Sequence, residues 1–185
     1  MSEEELARKL RRAAHLILFQ HHRYPGAKGW ELRKVVGRDY MKVIKLLREK
    51  LSDLGLDIKI VSEEGEDIAS LSEMQLDKAR FYVVSKHPLT FSEAALAGWR
   101  LDSLAVLAVT ISFIASRHGK APKKEVEKML SEKFPEWKVS VELDRFIKKG
   151  YLSEDEEEVL YLGWRTKAEV DLKALLENIA GGQTS

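Results

Sequence analysis

The stretch IKKGYLSEDEEEVLYLGW, residues 147–164, predicts the end of a helix, a Gly-Tyr-Leu exit, a strand, a turn and a second strand. A helix that leads into a β-hairpin is how a winged helix ends, and winged helices usually bind DNA. The tip of this hairpin, however, carries five consecutive carboxylates, from Glu154 to Glu158. Because phosphate repels carboxylates, this hairpin indicates a winged helix that faces protein.

Three helices upstream of the hairpin complete this winged helix. Apolar spacing predicts them over residues 102–118, 121–134 and 138–150, with Pro122 in the first turn of the second. A final helix is predicted from Lys167 to Ala180 and ends at Gly181-Gly182. One face of that helix is apolar and carries Ala168, Leu172, Leu175, Leu176 and Ile179.

The first part of the chain has the same order of elements. Helices are predicted over residues 4–22, 30–37 and 40–54, the last capped by Asp39 and ended by Gly55. Strands are predicted over residues 56–61 and 80–86, joined by a polar connection. The predicted fold class is therefore mostly α with small β-hairpins (α+β), in two winged helices. Their predicted bounds are 1–88 for winged helix A, 89–101 for a connector and 102–185 for winged helix B with the C-terminal helix.

The helix predicted over residues 102–118 is apolar nearly all round. Such a helix has to be covered on both sides, which predicts that the two winged helices pack against each other. Its uncharged run, Ser103–Ser116, is 14 residues long. A bilayer span needs roughly 20 residues, so no membrane segment is predicted.

Composition favours an intracellular protein. The 185 residues include no Cys, which excludes disulfides and thiolate zinc ligands, and the N-terminal MSEEELARKLRRAA lacks the apolar core of a signal peptide. A cytoplasmic, nucleoid-associated location is expected. The 33% content of charged residues and the single Asn, Asn178, are typical of a thermophile.

Charge is divided unevenly along the chain. Residues 1–61 hold 14 Lys or Arg and 8 Asp or Glu, whereas residues 62–185 hold 17 and 22. The first part is therefore the better candidate for binding a polyanion.

The third helix of winged helix A carries the predicted DNA-binding residues. Projected at 100° per residue, Arg38, Lys42 and Lys45 fall opposite the apolar face, while Arg33 and Lys34 on the preceding helix could add phosphate contacts. Few Asn or Gln lie nearby, so contact with phosphate and weak sequence preference are expected. The alternative is an ordinary solvated face, since Glu49 lies on the same ridge.

Catalytic signatures are missing from the sequence. The five histidines show no metal-binding spacing, and neither a Gly-rich phosphate loop nor a nucleophile elbow is present. A protein that is not an enzyme and has no metal or cofactor is predicted.

Several stretches together resemble a known family. They are AAHLILFQHHR, LGLDIKIV, FYVVS, DSLAVLAVTISFIASRHGKAPKKEVEKML and YLGWRTKAEVD. With both winged helices placed, the chain resembles the MAGE (melanoma antigen) homology domain, and through it the archaeal-type kleisin-interacting tandem winged-helix (KITE) subunits of SMC complexes. The resemblance implies a non-enzymatic subunit that binds a kleisin and SMC proteins, with roles in chromosome segregation and DNA repair.

The resemblance also bears on a RING-type ubiquitin ligase, which eukaryotic members bind. The paired leucines that hold this partner fall on Ile17 and Leu18, and because Ile17 is not leucine a RING partner is in doubt. Both residues lie on the apolar stripe of the first helix, so the simpler interpretation is that they belong to the core.

The connector supplies the remaining predicted contact residues. In LTFSEAALAGW, residues 89–99, Leu89, Phe91, Leu96 and Trp99 could line a groove for a partner helix, with the C-terminal helix as its second wall. Alternatively these residues only join the two units.

The chain is expected to be a monomer or homodimer. A free-standing tandem winged-helix transcriptional regulator remains the alternative function, and a scaffold in membrane remodelling is a more distant one.

Overall fold

The computed structural model describes residues 2–19, 24–62, 72–87, 96 and 98–181. The chain divides into two compact units, Met1–Leu89 and Thr90–Ser185. This division falls at the start of the predicted connector. The packing of the two units against each other stays a prediction.

The first unit is a winged helix. Its elements are α1 (Glu3–Phe19), β1 (Ala27–Lys28), α2 (Gly29–Val36), α3 (Tyr40–Ser52), β2 (Leu56–Val61), α4 (Glu73–Lys78) and β3 (Arg80–Ser85). The strands form an antiparallel sheet in the order β1-β3-β2, with Leu56 opposite Ser85 and Val61 opposite Arg80. Helices and sheet enclose a core that includes Ala13, Ile17, Leu32, Val43 and Phe81.

The second unit repeats this order. Its elements are α5 (Leu101–Ser116), β4 (Lys120–Pro122), α6 (Lys123–Ser131), α7 (Glu136–Lys149), β5 (Leu152–Glu154), β6 (Val159–Leu162), α8 (Trp164–Glu169) and α9 (Leu172–Gly181). The antiparallel sheet has the order β4-β6-β5. The core includes Val106, Ile114, Leu143, Phe146 and Leu160. The predicted fold class, mostly α with small antiparallel strands in tandem winged helices, is confirmed.

Two short strands, β1 and β4, were not predicted. Ala121 and Pro122 were expected in a helix but pair with Leu160 and Val159 on β6. The proline ring restricts φ to a value that extended backbone can also adopt. Pro122 has φ −57° and ψ 134°, so it precedes the helix instead of lying in its first turn. The next residue, Lys123, donates its N–H to the carbonyl of Glu158 at 2.8 Å, so α6 starts directly from the sheet edge.

Helix α4 lies inside the connection that was predicted to be irregular. Ser72 and Gln75 form a capping box, in which Ser72 Oγ accepts from the N–H of Gln75 at 3.4 Å and Gln75 Oε1 accepts from the N–H of Ser72 at 3.1 Å. The Ser-x-x-Gln signal was therefore present in the sequence.

The final helix is broken where a continuous one was predicted. Val170 has φ −105° and ψ 125°, which separates α8 from α9. Asp171 begins the next helix, because its Oδ1 accepts from the N–H of Ala174 at 3.0 Å. Ala168 on α8 is buried, and Leu172 and Leu175 on α9 pack against the core, whereas the side chain of Ile179 lies outside those described.

Helix ends also differ from the prediction. Helix α1 ends at Phe19, and the predicted residues 20–22 lie outside the described part. Asp39 stands at the N-cap of α3, but its side chain makes no capping bond there. Leu54 closes the predicted span 40–54, but α3 ends at Ser52 and 73% of Leu54 is exposed beyond it.

Two glycines fix the base of the second hairpin. Gly150 ends α7 with φ 83°, and its carbonyl accepts from the N–H of Arg165 at 3.0 Å. Gly163 donates to the carbonyl of Tyr151 at 2.8 Å, and a Cβ on Gly163 would lie 2.3 Å from the carbonyl oxygen of Gly150. The hydroxyl of Thr166 donates to that same Tyr151 carbonyl at 2.6 Å. Both ends of the hairpin are thus held together by backbone contacts that leave no room for a side chain.

Candidate interaction surfaces

The basic ridge, Arg38, Lys42 and Lys45, lies on the solvent side of the first unit. All three are exposed, while the opposite face of α3 is buried through Tyr40, Val43, Ile44, Leu47 and Leu51. Among the described residues none of the three has an ion-pair partner. Glu49 is also exposed on this helix. The three cations are therefore available to an anionic ligand.

The two cations of α2 differ in their availability. Arg33 Nη2 lies 2.6 Å from Asp77 Oδ1, so its guanidinium is held against α4. Lys34 is exposed. Of these two predicted phosphate contacts, only Lys34 extends the basic ridge without first breaking an ion pair.

Arg48, a further cation of α3, is also held in an ion pair within the first unit. Arg48 holds Asp57 at the start of β2 through two bonds, one of them from Nη2 to Oδ2 at 2.7 Å. The hydrogen bond from Arg48 is the main reason why the pKa of Asp57 is lowered, and the backbone N–H of Ile58 contributes as well.

Helix α7 of the second unit occupies the place that α3 has in the first. Its outward side exposes Trp137 (72%) and Val141 (60%), with Asp144 one turn further on. Two of its cations form ion pairs within the unit: Lys138 pairs with Asp102, and Arg145 lies 3.6 Å from Glu142. This helix therefore presents an apolar and acidic surface, not a basic one.

A buried polar contact joins α7 to α5. Ser103 Oγ donates to Glu142 Oε1 at 2.6 Å, and Arg145 Nη1 approaches the same hydroxyl at 3.5 Å. Ser103 and Glu142 are both buried. The contact lies on the same buried side of α7 as Val139, Leu143 and Phe146, while Trp137 and Val141 lie on the exposed side.

The acidic hairpin tip is partly structural. Asp155 Oδ1 accepts from the N–H of Val159 at 2.9 Å and of Glu157 at 3.0 Å, and Oδ2 accepts from the Tyr161 hydroxyl at 2.8 Å. These bonds, the Val159 bond first, lower the pKa of Asp155. Glu154 pairs with Lys123 at 3.0 Å. Residues 156–158 are exposed and leave three carboxylates at the tip.

Trp99 packs within the second unit. Its ring meets the Tyr151 ring edge-on at 5.7 Å between centroids, and Arg145 and Lys149 lie 5.3 Å and 4.9 Å from its centroid. Burial is the main reason why the pKa of Lys149 is lowered. Trp99 is therefore packed against the core of this unit, and its contact with a partner stays a prediction.

The other predicted contact residues are placed differently from one another. Ile17 is buried in the first core, whereas Leu18 is 39% exposed, so the pair does not form one surface. Leu96 is almost fully exposed. Leu89 and Phe91 lie outside the described residues.

An apolar groove is present in the second unit, between α5 and the start of α9. It has a volume of about 440 Å³ and is lined by Leu101, Leu104, Ala105, Leu107, Ala108, Ile111, Val170 and Leu175. Leu101 is 65% exposed at its mouth. One wall is formed by α5, which begins at the last residue of the predicted connector, Leu101, and the other by Val170 and the start of α9. The sequence signal was the uncharged run Ser103–Ser116, whose excess apolar surface is partly open in this groove.

Within the described ranges, no group of three or more His, Cys, Asp or Glu is arranged to hold a metal ion. No helix in that part of the chain is both long and apolar enough to cross a membrane.

Comparison with known proteins gives one informative likeness. No family model and no curated protein matches the sequence. A solved structure of the Nse1-Nse3-Nse4 complex contains a chain that is similar over 100% of this chain and 93% of that chain, with a TM-score of 0.69 and 18% sequence identity. At this identity the likeness is one of fold, and it agrees with a tandem winged-helix protein.

Proposed function

We propose that this protein is a non-enzymatic, MAGE-like subunit of a chromosome-organising SMC complex, in which it binds a kleisin. The supporting observation is that its whole length matches the fold of a chain from a multi-subunit complex, Nse1-Nse3-Nse4. Both winged helices are included in that match. A nucleoid-associated location follows from this proposal.

The apolar groove between α5 and α9 is our proposed binding site for the kleisin. An amphipathic helix binds by laying its apolar side chains into such a cleft. The groove floor is formed by small and aliphatic side chains, Ala105, Ala108 and Ile111, which let another helix approach closely. Leu101 and Leu104 stand at its rim and provide apolar surface that is not fully buried in this chain.

Weak DNA binding through the basic ridge is a second proposed activity. Lys42 and Lys45 are exposed on α3, the helix that corresponds to the one entering the major groove in helix-turn-helix proteins, and Arg38 is exposed in the turn directly before it. Lysine and arginine contacts to phosphate carry little sequence information, so we expect similar affinity for different duplexes.

The decisive experiment is capture of the host's own kleisin and SMC proteins by the purified chain, followed by titration with the recombinant kleisin. Leu101→Glu should weaken kleisin binding at least about tenfold, or about 1.4 kcal/mol, because it places a charge at the groove rim. Its melting temperature should change little, since Leu101 is mostly exposed. Leu54→Glu is the matched control, an equally exposed leucine in the first unit.

The outcomes separate function from site. If the unaltered chain captures neither an SMC protein nor a kleisin, the proposed function is wrong. If the unaltered chain binds the kleisin and the Leu101→Glu variant binds it equally well, the proposed function stands and the kleisin binding site lies elsewhere. Selection of one duplex sequence from a random pool by at least about a thousandfold would favour the transcriptional regulator instead.

A further inference from the structure

The outward face of α7 has no role in the proposed function, although it exposes two large apolar side chains. Trp137 and Val141 are 72% and 60% exposed. At a spacing of four residues they lie beside each other on the helix surface. A contiguous exposed apolar patch is a feature of interaction sites, whereas single exposed apolar residues are ordinary.

Acidic groups border this apolar pair on the side of the hairpin. Lys123 Nζ lies 3.9 Å from Asp144 Oδ1 and 3.0 Å from Glu154 Oε1, which places the tip end of β5 beside α7. The one lysine is therefore shared by two carboxylates. The exposed carboxylates of residues 156–158 extend the negative charge beyond them.

A cleft between α6 and α7 borders the pair on the other side. It has a volume of about 490 Å³, and its lining includes Glu127, Glu136 and Lys128. Glu136 and Ser140, which also line it, directly precede Trp137 and Val141 in the chain. The cations on this surface are Lys123, Lys128 in the cleft and Lys148 one turn beyond Asp144, and they are fewer than the carboxylates.

We propose that this face docks a basic amphipathic helix of a protein partner. Its apolar side chains would cover Trp137 and Val141, and its Lys or Arg side chains would contact Glu136, Asp144 and the hairpin tip. Charge complementarity selects this occupant, because the phosphates of a nucleic acid would be repelled by the same carboxylates. The surface is separate from the groove of α5 and α9, so the inference does not depend on kleisin binding there.

The test uses the full chain labelled with 5-fluorotryptophan, which gives one ¹⁹F signal for each of the four tryptophans. Individual Trp→Phe variants assign the signals. The probe is a synthetic helical peptide of about 18 residues, or five turns, with Leu along one face and Lys on both flanks. A second peptide has Glu in place of every Lys. The Lys peptide should bind at least about tenfold tighter and should shift the Trp137 signal while leaving Trp30 unchanged.

Protein variants locate the contact. The double change Glu136→Lys and Asp144→Lys should weaken binding of the Lys peptide at least about tenfold and should improve binding of the Glu peptide. Glu177→Lys, an exposed charge reversal elsewhere in the second unit, should leave both affinities unchanged within about twofold. Unchanged ¹⁹F signals of Trp30, Trp99 and Trp164 in the free variants show that they are folded, since only Trp137 adjoins the substituted residues.

Four results would overturn the proposal: equal affinity for the two peptides, no binding of the Lys peptide, a peptide-induced shift confined to Trp30, or a Trp137 shift caused by duplex DNA. A Trp137 signal that moves with protein concentration alone would also overturn it, because the occupant would then be a second copy of this chain. None of these outcomes bears on capture of the kleisin, so failure here is distinct from failure of the proposed function.

Discussion

The two winged helices share one arrangement of helices and strands but present opposite surfaces on corresponding helices. In the first unit α3 and the turn before it expose Lys42, Lys45 and Arg38, whereas in the second α7 exposes Trp137 and Val141. Their inward faces are alike, since each buries apolar side chains against the sheet and the first helix. The fold therefore follows from the inward positions, and the choice of partner is left to the outward ones.

The interior of the second unit adds to this difference. Glu142 is buried and accepts a hydrogen bond from Ser103, and Arg145 pairs with Glu142. These charged side chains therefore contact residues of the unit itself and do not face a ligand. In the first unit α3 is joined through its apolar face and through Arg48 at one end. The basic ridge stays free as a result.

The largest effect is expected from steric blocks that act on one unit at a time. Gly29→Ala would place a Cβ 1.9 Å from the Leu76 carbonyl oxygen in the first unit, and Gly163→Ala would place one 2.3 Å from that of Gly150 in the second. Each should destabilise its own unit by at least about 3 kcal/mol. Hydrogen exchange measured by mass spectrometry should show faster exchange in that unit alone.

The control is Gly119→Ala, where φ is 85° but the space for a Cβ is open, and the expected loss is only about 1 kcal/mol. If either steric variant opens both units together, the units unfold as one. That result would support the predicted packing between them.

A smaller effect is expected at the buried contact of the second unit. Glu142→Ala leaves Ser103 Oγ without its acceptor and Arg145 without its carboxylate, which should cost about 2 kcal/mol in urea unfolding. Glu142→Gln keeps an acceptor for Ser103 and should cost less. Asp144→Asn, on the exposed side of the same helix, should stay within about 0.5 kcal/mol. Equal losses for Glu142→Ala and Asp144→Asn would contradict the role of the buried bond.

DNA binding is expected to depend on the exposed cations of the first unit and not on those of the second. Reversal of Arg38, Lys42 and Lys45 to Glu should lower duplex affinity at least about tenfold, or about 1.4 kcal/mol, and should reduce the slope of log K against log salt by about three. The matched control reverses three exposed cations of the second unit, Lys124, Lys128 and Lys148. Fluorescence anisotropy at several salt concentrations measures both. Equal losses in the two variants would show that the ridge has no special role.

The smallest effect concerns acid stability in the first unit. Because the folded-state pKa of Asp57 lies below its usual 3.8, its bond with Arg48 stabilises the fold above that pH and is lost as the pH falls through the folded value. Asp57→Asn should therefore cost about 1 kcal/mol at pH 7 and nothing near the acid end of the titration. Asp155→Asn in the second unit should show the same direction with a smaller loss, since Asp155 is exposed. A loss that is independent of pH would contradict the ion pair.

Local signals in the sequence were sufficient for most of the helices. Apolar spacing at three and four residues located α1, α3 and α7 and gave the orientation of the basic ridge, whereas α5 was located by its long uncharged run. Strands β1 and β4 have two and three residues, too few for any periodic signal, and they exist only through pairing with β3 and β6. The break at Val170 was missed because a single β-branched residue does not by itself end a helix.

The interaction surfaces were less accessible from sequence, because they depend on contacts between distant residues. Nothing near Arg33 indicates that it pairs with Asp77, and nothing near Trp99 indicates that Tyr151 and Lys149 hold its ring. Exposure of Trp137 was equally hidden, since tryptophan at a helix start is usually buried. The apolar excess of Ser103–Ser116 was visible, but the residues that line a groove with it were not.

The glycine pair at the base of the second hairpin also has a consequence for protein engineering. Gly150 and Gly163 close the root of the hairpin through backbone hydrogen bonds, which the Thr166 hydroxyl supplements, and none of these contacts involves a residue of the tip. A longer loop or an epitope inserted between Glu156 and Glu157 would thus leave the root intact, whereas an insertion beside Gly163 would prevent its closure. The tip is the natural position for a tag or a grafted recognition loop, and sequences of different length can be exchanged there.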